Sequence, residues 1–221
     1  AIKTAGGYIE SAYPFGGYLE SKEALRINNE SKETLYNTFV ENLISNSSNT
    51  GTENPNIGIL IDQIKKAKST GRVIAEFDLN IISANTTLDT LISDGDRILI
   101  PNITQQIYVQ GKVSKPGAIR YVPGKDLNYY IAKAGGALSS YDKDNIFVVY
   151  PNGETINFNN SPRLSFLIAE DEKLLIYPGS IIFVPQSTDF TSSLQAASIW
   201  APIISSIALS LTSLSVLNNT N

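Results

Sequence analysis

Two short patterns each occur twice in this chain, in the same order, and any fold must house both copies. Ile2-Lys3-Thr4-Ala5-Gly6-Gly7 reads against Ile131-Ala132-Lys133-Ala134-Gly135-Gly136. Asp94-Gly95-Asp96-Arg97-Ile98-Leu99-Ile100-Pro101 reads against Tyr177-Pro178-Gly179-Ser180-Ile181-Ile182-Phe183-Val184-Pro185. Each copy runs from an Ala-Gly-Gly turn to a strand closed by proline. The first is much the longer and so carries an insertion. A strand and turn precede the second Ala-Gly-Gly but not the first, so the chain is expected to begin inside its first repeat, with at least one more domain upstream. The absence of methionine fits that expectation.

The insertion reads as helical. Leu35, Phe39, Val40 and Leu43 fall at spacings of three and four, predicting a helix over Ser31 to Ile44 with Ser31 as its cap. Ser45 to Pro55, rich in Asn, Ser and Thr, is expected to be an exposed loop. Ile57 to Lys68 is a second predicted helix, with Lys65, Lys66 and Lys68 at its negative end. Beyond it, short β-branched runs predict strands over 72–77, 97–100, 107–113, 118–121, 146–150, 155–158 and 181–184. Pro151-Asn152-Gly153 is a hairpin turn. One helix is expected between Asp126 and Lys133, with Leu127, Tyr130 and Ile131 facing inward and Gly135-Gly136 ending it. A small sheet packed on one helix, with two hairpins, is an α+β pattern of the β-grasp type.

Composition narrows the chemistry. The 221 residues include no histidine and no cysteine, which removes Cys/His zinc sites, thiol nucleophiles and Ser-His-Asp triads. Asp94 and Asp96 flank a turn glycine ahead of a strand, which is ordinary turn grammar, and no second acidic pair lies near them for glycoside chemistry. No catalytic residue, metal site or cofactor is expected, and the chain reads as a non-enzyme. The net charge of −4, without any basic run, argues against nucleic acid. Tyr108, Tyr129, Tyr130, Tyr141 and Tyr150 could stack on sugar rings, but tyrosine also serves strands and cores, and that structural role is expected here.

The last charged residue is Asp189, and the 32 residues from Phe190 to Asn221 carry no charge. At helical spacing, Trp200, Ile203, Ile204, Ile207, Leu211 and Leu214 share one face, while Ser198, Ser205, Ser206, Thr212 and Ser213 share the opposite one. A helix from Ser193 to Leu217 would be about 37 Å long, against a hydrocarbon thickness of roughly 30 Å. Pro202 predicts a kink or a late start. The pattern lacks the period of two that a β-strand span would need. A solitary helix would leave its hydroxyl stripe in lipid, whereas a ring of helices would put the first set of residues toward lipid and the second along a wet pore.

The span Ile107 to Pro185 resembles the soluble-ligand-binding β-grasp (SLBB) domain of the outer-membrane polysaccharide export family, of the Wza/KpsD kind. The residues that carry the likeness are Val109-Gln110-Gly111-Lys112-Val113, Lys115-Pro116-Gly117, the helix ending in Gly135-Gly136, Val148-Val149-Tyr150 with Asn152-Gly153, and Pro178-Gly179 through Pro185. Gly71-Arg72-Val73 and Gly95-Asp96-Arg97-Ile98 look like the longer, capsule-associated members. Gly111, Pro116, Gly117, Gly135, Gly136 and Gly179 are thus fold-marking turns. Ser180 stands where the family more often has Asp, as at Asp96, and reads as a solvent-facing turn change.

The expected organisation is residues 1–104 as the C-terminal part of a first SLBB-like domain, 105–188 as a second, and 189–221 as an amphipathic helix through the outer membrane. The resemblance implies an export channel for capsular or related polysaccharide in a Gram-negative envelope. It implies a homo-oligomeric ring of about eight or more copies, working with an inner-membrane transporter and a co-polymerase-like protein. The competing expectation is a soluble periplasmic carbohydrate-binding or adaptor module.

Overall fold

The computed structural model describes residues 1–50, 69–158 and 175–187. Two sheets organise them. The first has three strands, β1 (Tyr18–Glu20), β2 (Arg72–Val73) and β3 (Arg97–Leu99), in the order β2-β1-β3, with both pairings antiparallel. The second has five: β4 (Gln106–Gly111), β5 (Gly117–Arg120), β6 (Phe147–Val149), β7 (Thr155–Asn157) and β8 (Ile181–Val184). Their order is β5-β4-β8-β6-β7, and the first and last strands in sequence, β4 and β8, are parallel neighbours at the centre.

Helix α3 (Leu127–Lys133) crosses one face of this second sheet, giving the β-grasp arrangement in an α+β fold. Alternation along the strands decides what meets the helix. Ile107 and Val109 from β4, Val148 from β6 and Ile182 and Val184 from β8 form a dry core with Leu127, Tyr130 and Ala134 of the helix. Asp126 caps α3 by accepting from the Tyr129 N–H. At the other end the hairpin loop between β4 and β5 locks onto the Ala-Gly-Gly turn: the Lys115 N–H donates to the Ala134 carbonyl and the Ser114 N–H to that of Gly136. Carbonyls that a helix C-terminus leaves orphaned are thereby satisfied.

The residues around the first sheet repeat these bonds. Ala5 N–H donates to Ala1 O and Gly7 N–H to Ile2 O, as Ala134 does to Tyr130 and Gly136 to Ile131. Ala12 bridges Asn102 as Tyr141 bridges Gln186. Tyr13 N–H reaches Pro101 O as Asp142 N–H reaches Pro185 O, and Ile103 N–H reaches Ser11 O as Ser187 N–H reaches Ser140 O. The order β3-β1-β2 is the order β8-β6-β7 without β4 and β5.

Several expectations need correction. The insertion helix α1 covers Lys22–Thr50, not Ser31 to Ile44. Nothing in Lys22 to Glu30 breaks a helix, and Arg26 ties that stretch together by pairing with Glu23 and Glu30. Ser31 therefore lies mid-helix, and its expected place is taken by Ser21, whose Oγ accepts from the Ala24 N–H at 3.5 Å. The loop expected from Ser45 is helix through Thr50. The strand expected over 72–77 stops at Val73, because the Glu76 carboxylate takes the N–H groups of Phe77 and Asp78 and turns the chain. Asp78 then caps a short helix, α2 (Leu79–Ala84), that the sequence reading lacked. β1 was also not anticipated, since three residues between Gly17 and α1 are too few to show a period.

Ser180 is not solvent-facing but fully buried. Its Oγ accepts from the Tyr177 N–H as the Asp96 carboxylate accepts from the Ser93 N–H. A hydroxyl closes the same turn without placing a charge in the core. The predicted helix over 57–68 lies outside the described residues.

Candidate functional site

The fold-marking residues sit at the ends of the β-grasp strands and helix. Gly111 closes β4 with φ +92°, and a Cβ there would meet the Val184 carbonyl oxygen at 2.1 Å. Pro116 and Gly117 lead into β5, Gly135 and Gly136 end α3, and Gly179 opens β8 with its N–H on the Gln106 carbonyl. These residues shape the scaffold. The predicted pore-lining residues Ser198, Ser205, Ser206, Thr212 and Ser213, and the predicted lipid-facing residues Trp200, Ile203, Ile204, Ile207, Leu211 and Leu214, lie outside the described residues. Among the described residues no helix is long and apolar enough to cross a membrane.

The tyrosines divide into fixed and available. Tyr130 is buried and its hydroxyl both donates to the Val122 carbonyl and accepts from the Val122 N–H, which fastens the chain after β5 to the helix. Tyr150 is buried and donates to the Leu175 carbonyl; burial, with Tyr177 and Glu154 near, pushes its pKa up to about 12. It belongs to an aromatic joint between the two sheets, in which the Phe15 ring lies 4.3 Å from Tyr177 and Tyr177 lies 5.3 Å from Tyr150. Tyr13 abuts the same joint at 5.9 Å from Phe15, and burial raises its pKa as well.

Arg72 completes the joint. From β2 it donates through Nε to the Asn152 carbonyl and through its terminal nitrogen to the Pro151 carbonyl, both in the β6–β7 hairpin. Its guanidinium stacks 4.0 Å over the Tyr18 ring. Burial pushes its pKa down to about 10, so the group is still charged at neutral pH, compensated by two carbonyls and an aromatic face. The sequence placed Arg72 in a motif but gave no sign of this partner, which lies about eighty positions away.

Tyr129 is different. It stands half-exposed on α3, braced edge-on by Tyr130, with the Lys125 and Lys133 ammonium groups 5.4 Å and 5.6 Å from its ring centre. The ring is thus already engaged by both cations, and the two exposed ammonium groups present a positive patch that suits the carboxylate of an acidic sugar. Lys133 comes from the last turn of α3 and Lys125 from just ahead of its cap, so the helix fixes their spacing. Asp96 is spent on its own turn and Asp94 lies exposed beside it. Among the described residues no group of acidic side chains could hold a metal.

Comparison with known proteins bears on the second sheet. Residues 106–159, which take in β4, β5, α3, β6 and β7, match the SLBB domain family. This stretch of the second unit is therefore similar to an SLBB domain. Two polysialic acid transport proteins, both KpsD of Escherichia coli, are 32% identical to the chain over 77 residues. The aligned stretch is 35% of this chain and 14% of each relative, so the likeness covers a small part of those proteins. Together the two findings support the likeness to polysaccharide export proteins that carry an SLBB domain.

Proposed function

We propose that this chain is part of an outer-membrane channel for polysaccharide export, with its sheets in the periplasm and its charge-free tail as the exit. The observation that carries the reading is the match of residues 106–159 to the SLBB domain, together with the 32% identity to polysialic acid transport proteins. The recurrence of turn and bridge hydrogen bonds supports residues 1–104 as a second, incomplete copy of that unit. In this reading, residues 105–188 complete the periplasmic part. The segment 189–221 then spans the membrane as a ring of helices, with Ser198, Ser205, Ser206, Thr212 and Ser213 along the pore and Trp200, Ile203, Ile204, Ile207, Leu211 and Leu214 toward lipid. A neutral hydroxyl surface can trade hydrogen bonds with a hydrated glycan without retaining it.

The relatives' substrate is an acidic polymer by name, and Tyr129 with Lys125 and Lys133 offers this chain a matching contact. The chain would assemble as a homo-oligomer and receive glycan from an inner-membrane transporter. The test compares the full chain with a version ending at Asp189. The full chain is expected in the outer-membrane fraction as a detergent-stable oligomer and the shortened one in the soluble fraction. Two soluble monomers would end the channel reading.

A further inference from the structure

Tyr108 has no part in the core, in the joint between the sheets or in the α3 patch. Strand alternation sets it on the face of β4 opposite α3, in a row with Gln106 and Gln110, while Ile107 and Val109 enter the core. Neighbours in that row stand about 7 Å apart. The register places Arg120 of β5 opposite Gln106, and Ala118 opposite Tyr108. Gln106, Ala118 and Arg120 are exposed and Tyr108 is half-exposed. On the other flank, Ile181 and Phe183 of β8 lie beside Tyr108 and Gln110 and are buried. The open part of this face therefore belongs to β4 and β5.

The groups there are of three kinds. The Arg120 guanidinium has no hydrogen-bond or ion-pair partner among the described residues. The Tyr108 hydroxyl donates to Gln106 Oε1 at 3.3 Å, which fixes that amide and leaves its NH₂ group free to donate. The Gln105 main-chain carbonyl is taken by the Tyr121 N–H, so only its side-chain amide faces a ligand. Ala118 adds no more than a methyl beside the Tyr108 ring, and the ring is not walled in from β5. A cleft of about 340 Å³ lined by Gln105, Gln106, Ala118, Ile119 and Arg120 carries the row on to the edge of the sheet.

We propose that this face of β4 and β5, with its cleft, binds a carboxylated glycan. Arg120 would pair with the carboxylate through two parallel N–H groups. Each glutamine amide both donates and accepts, as neighbouring sugar hydroxyls do, and Tyr108 offers an apolar ring with a polar tip. One guanidinium among amides matches a hydroxyl-rich polymer with sparse charge; a phosphate surface would call for clustered cations. The site lies across the sheet from Lys125, Tyr129 and Lys133, so it is a second contact and not an extension of that patch.

The inference takes the source of the glycan from the export reading. The test uses the full chain in detergent carrying Lys125→Gln and Lys133→Gln, which silences the α3 patch. Its affinity is measured by titration for acidic hexamers from polygalacturonate and from hyaluronan, for the methyl-esterified galacturonate hexamer, and for inorganic phosphate. The acidic galacturonate hexamer is expected to bind about tenfold more tightly than its ester. Arg120→Gln should erase that difference. Ala118→Glu, a change at an exposed position, should weaken the acid more than the ester. Tyr108→Leu keeps bulk beside β8 but removes the ring, and should weaken both forms alike. The proposal is overturned if neither acidic hexamer binds, or if acid and ester bind equally. An acid preference untouched by both Arg120→Gln and Ala118→Glu would overturn it as well. So would phosphate that displaces the hexamer at equal concentration, since the site would then be a bare anion contact. A chain that proved a soluble monomer would end the channel reading and leave these affinities in place, so the two fail separately.

Discussion

Ile92 and Ile176 hold equivalent places in the two sheets, each a few residues ahead of the turn that opens the last strand, yet one is largely wet and the other is packed. The residues are the same; what differs is that β4 extends the second sheet and α3 packs on its face, and among the described residues nothing equivalent extends or covers the first. Burial here is thus decided by what lies across from a position and not by its local sequence. The same contrast governs Asp96 and Ser180, which accept the same kind of turn hydrogen bond, one half-exposed with a carboxylate and the other fully buried with a hydroxyl.

That contrast sets the largest expected effect. Ser180→Asp should destabilise the second unit by more than about 3 kcal/mol, because it places a carboxylate at a fully buried position, whereas Asp96→Ser should cost less than about 1 kcal/mol. Urea unfolding of the two variants measures both, and equal costs would break the comparison. Next, Ile176→Ala should cost about 2–4 kcal/mol through the cavity it leaves, against under about 1 kcal/mol for Ile92→Ala. A smaller effect is expected at the joint between the sheets. Arg72→Met keeps the stem but removes two donors, and should cost about 1–2 kcal/mol while splitting one urea transition into two.

The smallest effect is one of pH. Tyr150 has its folded pKa raised from 10.0 to about 12, so its protonated form contributes stability that is fully present below pH 10. That contribution is lost as pH rises from 10 toward 12, because the unfolded chain releases the proton first. Alkaline titration followed by tyrosinate absorbance and near-UV dichroism should show the joint loosening in that window, and Tyr150→Phe should flatten the dependence.

Much of the second unit was legible in the sequence because its signals are local. Asp126 at a cap, Gly135-Gly136 after a helix and Asn152-Gly153 in a hairpin each act within a few residues, and the alternation in Ile107 to Val113 names the core side chains directly. The first unit was less legible for the same reason inverted. β1 and β2 are three and two residues long, too short to express a period, and their pairing spans the whole insertion. α1 ran past its expected start because its apolar periodicity begins at Leu35, whereas about its first two turns are held by charge pairs around Arg26. The sequence could not give Arg72 its hairpin, since that contact depends on how elements meet, whereas Lys125 and Lys133 lie four residues either side of Tyr129 and were within reach of helical spacing.

Arg72 grips the β6–β7 hairpin only by the carbonyls of Pro151 and Asn152, groups that every residue type carries. Substitution of the side chains there leaves the acceptors in place, so the joint tolerates sequence drift at its tip. Length and slimness are another matter. An inserted residue would carry the carbonyls out of reach, and a methyl at Gly153 would meet the Arg72 Nε at 2.7 Å. The coupling between the sheets therefore constrains the shape of the hairpin more tightly than its chemistry, and variants that break it should be found among insertions and at Gly153 before they are found at Asn152 or Glu154.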